Sequence, residues 1–171
     1  MLIRRLDPED AAQYWALRLR ALREHPQAFT SSFEEEDVKP LSAAQARLGE
    51  GPAVKFWGAF SASGTTTLVG VVGLQREPRR KGQHKADVIG MFVAPECARQ
   101  GVGRQLLQTL IDDARGSAIE SLVLTVTDGN QEARSLYRRA GFVRFGLEPA
   151  AIKVDGQAFA KEYMVLQLVS S

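Results

Sequence analysis

Apolar positions along the chain alternate between two spacings, and the changes of spacing mark the elements. Residues 2–6 read as a short strand. Asp7, with Pro8 after it and Asp10 three positions on, reads as a helix start, because a side-chain acceptor there satisfies free N–H groups and proline is pre-set for a first turn. Ala11, Trp15, Leu19 and Leu22 recur at helical spacing and predict that helix's core face. The stretch HPQAFTSSFEEEDVKP breaks the pattern, and Ser42 with Gln45 predicts a capping-box start for a short helix ending near Gly49. VKFWGAF (54–60) and TLVGVVGLQ (67–75) are strand-like, joined by SASGTT as a hairpin loop.

REPRRKGQHK (76–85) is polar and basic, hence a loop, and ADVIGMFV supplies a strand through Val93. Beyond it Val102, Leu106, Leu107, Leu110, Ile111 and Ala114 mark an amphipathic helix, and SLVLTVT (121–127) a buried strand. Ala133, Leu136, Tyr137 and Ala140 share one face of a further helix that Gly141 can end in the left-handed conformation. FVRFGLE and AKEYMVLQL finish the chain as strands. This order predicts an α/β fold of the α+β kind: a mixed, mostly antiparallel sheet of six or seven strands flanked by helices. The helix crossover between strands 86–93 and 121–127 makes that pair parallel.

Length and composition narrow the picture. A chain of 171 residues without repeat, low-complexity tract or linker is expected to form one domain, 1–171. Twenty-two Lys and Arg against 20 Asp and Glu leave a net charge of +2, which argues against a nucleic-acid or membrane-surface partner. The single cysteine, Cys97, has no neighbouring Cys or His to suggest a metal site. Together with the lack of a long apolar run, it predicts a cytoplasmic protein without a metal.

The chemistry concentrates in ARQGVGRQLL (98–107). Two glycines directly ahead of an apolar helix leave several backbone N–H groups bare at its positive end, a natural seat for phosphate. Arg99 and Arg104 add charge at its edge. A nucleoside-triphosphate loop would need Gly-Lys-Ser/Thr where Gly103 is followed by Arg104 and Gln105. A dinucleotide fingerprint would need a small residue where Leu106 stands.

VAPECARQGVGRQLL resembles the acyl-CoA pyrophosphate loop and following helix of the GCN5-related N-acetyltransferases, whose loop runs Arg/Gln-x-x-Gly-x-Gly/Ala; Ala98 stands at the first of these positions. NQEARSLYRRAGF resembles the same family's second signature, and the two occur in the family's order across about residues 86–145. The resemblance implies that family's acyl-CoA N-acyltransferase fold, with acetyl-CoA as co-substrate. It implies direct transfer of an acetyl group to a primary amine, on a small molecule or at a peptide amino terminus, within a ternary complex. Phe92 and Val93 would pair with the pantetheine arm, and Arg99, Gln100, Gly101, Val102, Gly103 and Arg104 would hold the pyrophosphate. Asn130 would lie near the cofactor arm, although in isolation it reads as a helix N-cap. Tyr137 matches the position the family uses as general acid, and Asp87 the place where many relatives carry a basic Glu. Glu34, Glu35, Glu36 and His84 are alternatives for the base, while Phe29, Phe33 and Glu34 fall where the family lines its acceptor side. The competing expectation is a non-catalytic acyl-CoA-binding or sensing module. A homodimer is also expected, with a late strand such as 159–168 as the candidate for pairing.

Overall fold

A computed structural model describes residues 1–49 and 51–169. The first strand, β1 (Leu2–Arg5), leads into a 3-10 turn at Pro8–Asp10 in which Asp7 accepts from Glu9 N–H and Asp10 reaches back to the Asp7 N–H. Helix α1 (Ala11–Glu24) follows, with Ala11, Tyr14, Leu17, Ala21 and Leu22 buried. Its core stripe is therefore rotated from the expected one: Trp15 and Leu19 are half-buried on the flank, and Tyr14 packs on Phe56 with ring centroids 5.3 Å apart.

The region read as irregular contains a second short helix, α2 (Phe33–Asp37), started by a reciprocal cap between Ser32 and Glu35. Helix α3 (Leu41–Leu48) is capped by Pro40, without the Ser42 box that the spacing suggests, and ends at Gly49 as expected. Strands β2 (Val54–Ser61), β3 (Thr67–Arg76) and β4 (Lys85–Val93) form an antiparallel meander. Helix α4 (Val102–Gly116) buries all six residues of the predicted stripe. It crosses to β5 (Ser121–Thr127), which pairs in parallel with β4. Helix α5 (Gln131–Arg139) ends at Gly141, φ 103°, and the long hairpin β6 (Val143–Val154) and β7 (Gln157–Gln167) completes the chain.

The seven strands lie in the order β1-β2-β3-β4-β5-β7-β6. Because β7 pairs with β5 on one side and β6 on the other, segment 159–168 is not the free edge expected for partner pairing; that edge belongs to β6. Helices cover both faces. Gly70 of β3 faces Val102 and Leu106 of α4, while Phe56, opposite Gly73, faces Tyr14 of α1 and Arg47 of α3.

One irregularity positions the site. The only parallel ladder among the described strands runs for three pairs, Lys85↔Ser121 to Asp87↔Val123, and then stops. Beyond it β4 bulges, the register against β3 slipping around Gly90, which sits at φ 61°. The two half-sheets therefore part, and main-chain groups on the facing edges of β4 and β5 are left without a strand partner.

Candidate active site

A cleft of about 1470 Å³ occupies this parting. Met91, Phe92 and Val93 of β4 form one wall, and Thr127 to Asn130 at the end of β5 contribute to the other. The loop before α4 and the α5 residues Ala133, Leu136 and Arg139 close one side, while Gln27, Ala28 and Phe29 approach from the segment after α1.

The loop's conformation follows from its sequence. Arg99 at φ 61° and Gly101 at φ 77° both lie in the left-handed region, a geometry that turns successive amides to one side. Gly101 is the cap residue of α4, and no side chain caps that end. Among the described residues no acceptor meets the N–H groups of Arg99, Gln100, Gly101, Val102, Gly103 or Arg104; the first engaged amide is Gln105, which donates to the Gly101 carbonyl at 3.0 Å. Six free donors gather at the positive end of a 15-residue helix, and five of their residues, Arg99, Gly101, Val102, Gly103 and Arg104, line the cleft together with Arg139. This donor set fits a diphosphate.

The turn before the loop is fixed from outside the cleft. Arg20 of α1 grips Glu96 through two parallel bonds of 2.7 and 2.8 Å. These bonds hold the Glu96 carboxyl down to about 2, well below the usual carboxylate range. Gln100 donates its side-chain amide to the Glu96 carbonyl at 3.3 Å and turns away from the cleft.

Asn130 caps α5, its side chain accepting from Ala133 N–H at 3.2 Å, and it also lines the cleft. Tyr137 stacks edge-on with Phe142, ring centroids 5.9 Å apart, and burial raises its phenol above the ordinary range. Its residue does not line the cleft, although Leu136 and Ala140 beside it do. Among the described residues the Tyr137 hydroxyl makes no hydrogen bond, and the residue is 6% exposed.

Helix α5 is anchored from below by Arg134, which bridges Asp128 at 3.0 Å and the fully buried Glu162 of β7 at 2.8 Å. Arg144 lies 3.8 Å from the same carboxylate. The Glu162 oxygens make charge contacts here without an aligned hydrogen bond. Glu162→Ala strands Arg134 without its buried partner and should lower stability by about 2 kcal/mol, read by urea denaturation.

Several expected residues lie elsewhere. Asp87 is exposed between buried Ala86 and Val88, outside the cleft; partial shielding of its carboxyl group from water raises its pKa, with Lys85 opposing. Phe33 stacks under Arg23, and Glu34 is exposed on α2; neither lines the cleft, whereas Phe29 does. Glu35 is spent on the Ser32 cap and Glu36 is buried against Arg18 and Lys39, while the His84 carbonyl receives the Glu120 and Ser121 amides. Sequence reading missed Arg139, Phe159, Gln27 and Thr127 as cleft residues. Of these only Arg139 carried a signal, one helical turn beyond Leu136 on the same face. No group of three or more His, Cys, Asp or Glu among the described residues could hold a metal ion, and no described helix is long and apolar enough to cross a membrane.

Comparison with known proteins agrees with this architecture. N-alpha-acetyltransferase RimI of Mycobacterium tuberculosis is 35% identical over 125 residues, 72% of this chain and 73% of that protein. An acetyltransferase of the GNAT family from Streptococcus pneumoniae superposes with a TM-score of 0.84 at 24% identity, over 97% of this chain and 98% of that one. The Salmonella typhimurium protein yncA, solved with its cofactor acetyl-CoA, gives 0.81 at 22% identity, over 100% and 95% of the two chains. The family model described as the acetyltransferase (GNAT) family matches residues 18–142, and the chain belongs to that family.

Proposed function

We propose that the protein is an N-acetyltransferase, the whole chain acting as one catalytic domain, that moves an acetyl group from acetyl-CoA to a primary amine by direct attack in a ternary complex. The observation that carries this reading is the row of six unengaged amides, Arg99 to Arg104, beside the cleft where β4 and β5 part, all but Gln100 belonging to its lining residues. The family uses acetyl-CoA, and the M. tuberculosis relative is named as an N-alpha-acetyltransferase.

In this reading those amides, with Arg99 and Arg104, bind the pyrophosphate. The free edge of β4 at Phe92 and Val93 aligns the pantetheine arm as an added strand, and Asn130 sits alongside it. Bound there, acetyl-CoA supplies an activated acetyl thioester. The protein's contribution is mostly positioning: fixing amine and thioester in attack geometry is worth roughly 7 to 11 kcal/mol. A β4 N–H near the bulge polarises the carbonyl, and Tyr137 holds a proton on Oη for the departing sulfur. Phe29 forms part of the acceptor wall. Asp87 is the candidate that takes the ammonium proton, through water because it does not line the cleft.

The position of Asp87 and Tyr137 off the cleft lining also favours a second reading, an acyl-CoA-binding module without chemistry. A thiol-release assay with acetyl-CoA across polyamines, amino acids, aminoglycosides and peptide amino termini separates the two. The expected result is release that depends on an acceptor; tight CoA binding with no release across the panel establishes the sensor.

A further inference from the structure

One buried cation, next to the cleft residue Thr127 across the β5–β7 ladder, has no role in the reaction above. Lys161 lies on β7 opposite Thr127 of β5, and the residue is only 8% exposed. Its ammonium donates one hydrogen bond, to Thr30 Oγ1 at 2.7 Å, and among the described residues no carboxylate reaches ion-pair distance from it. Burial lowers its pKa below the ordinary lysine range, more than its cross-strand neighbour Glu148, exposed on β6, offsets. An ammonium carries three donors, and a buried one without a counter-charge is costly. An anion would complete it.

Its surroundings say where that anion comes from. Strand alternation puts Phe159 and Lys161 on one face of β7, and the register sets Thr127 beside Lys161. Phe159, Thr127 and Phe29 all line the cleft; Lys161 does not itself line it, and lies next to this part of the lining through its pairing with Thr127. Thr127 needs no cation, since its hydroxyl already donates to the Gln27 carbonyl at 2.7 Å and pins the same segment.

Resting on the reading that an amine is acetylated in this cleft, we propose that Lys161 binds a carboxylate carried by the acceptor. The substrate is then an amine that also bears a carboxylate, either a free amino acid or a peptide whose amino-terminal end is acidic, and a polyamine is excluded. Lys161 acts as a specificity residue.

The test uses the full chain with saturating acetyl-CoA. Thiol release is measured for free amino acids against their ethyl esters, and for peptides with acidic against neutral second residues. Calorimetry of the same ligands on CoA-loaded protein reads the carboxylate contact without turnover. Lys161→Met should raise KM for carboxylate-bearing acceptors about tenfold or more with kcat nearly kept, leave the esters unchanged, and be largely rescued by Lys161→Arg. Thr30→Val should keep the carboxylate preference. Equal use or binding of acids and esters by the unaltered protein, or a Thr30→Val variant that reproduces Lys161→Met, overturns the proposal. Carboxylate binding that is lost in Lys161→Met while no amine is acetylated upholds the site and discards the transfer reading instead.

Discussion

An aspartate in place of Gly103 should weaken acetyl-CoA binding on the order of a hundredfold, read by titration calorimetry. Gly103 is the second residue of α4, inside the row of free amides, and it lines the cleft. A Cβ there would lie 3.3 Å from Leu136 Cδ2, a tight contact that the leucine can relieve by a small shift, and 3.8 Å from Val93 Cγ2, an ordinary one. The main effect is therefore charge: a carboxylate about 5 Å from a phosphate, at an effective dielectric of about 20, opposes binding by roughly 3 kcal/mol. Gly103→Ala adds the same Cβ without the charge and should cost far less. Equal affinities for the unaltered protein and the aspartate variant would mean that the amide row does not hold the cofactor.

Loss of the Tyr137 hydroxyl comes second in size. Tyr137→Phe should cut turnover by about tenfold to a hundredfold and leave the acetyl-CoA dissociation constant almost unchanged. The ring is buried against Phe142, so phenylalanine preserves the packing, and the hydroxyl it removes has no protein partner among the described residues. Burial keeps the phenol protonated throughout the working pH range. The same burial makes it a weak acid, so its benefit lies in hydrogen-bonding the departing thiolate more than in full proton release. A variant with undiminished turnover removes Tyr137 from the chemistry.

The bare-backbone turn before α4 was legible in the sequence because bare backbone is a property of residue type: Gly101 needs its left-handed angle, and no tertiary contact had to be known to infer it. The same holds for α4, whose six apolar residues leave one phase for the helix. Helix α1 was harder. AAQYWALRLRAL offers two apolar stripes, and the choice between Trp15 and Tyr14 is made by Phe56, some forty residues away. Helix α2 escaped notice because five residues give no periodicity, and two of its carboxylates, Glu35 and Glu36, expected as alternative bases, serve the Ser32 cap and the Arg18 and Lys39 contacts. Thr127, Phe159 and Lys161 were invisible for a different reason. They come together only when the last hairpin pairs with β5, and spacing along the chain carries no trace of that encounter.

The three-pair ladder between β4 and β5 has a mechanical consequence. It makes the sheet two stiff panels, β1 to β4 and β5 to β7 with β6, sewn by a short seam and the α4 tether. A guest that bonds to both lips of the opening acts as the missing stitches. Occupancy then becomes cohesion: at a ligand concentration a hundred times its dissociation constant the fold gains about 3 kcal/mol, and the empty protein is the one whose panels are free to flex against each other.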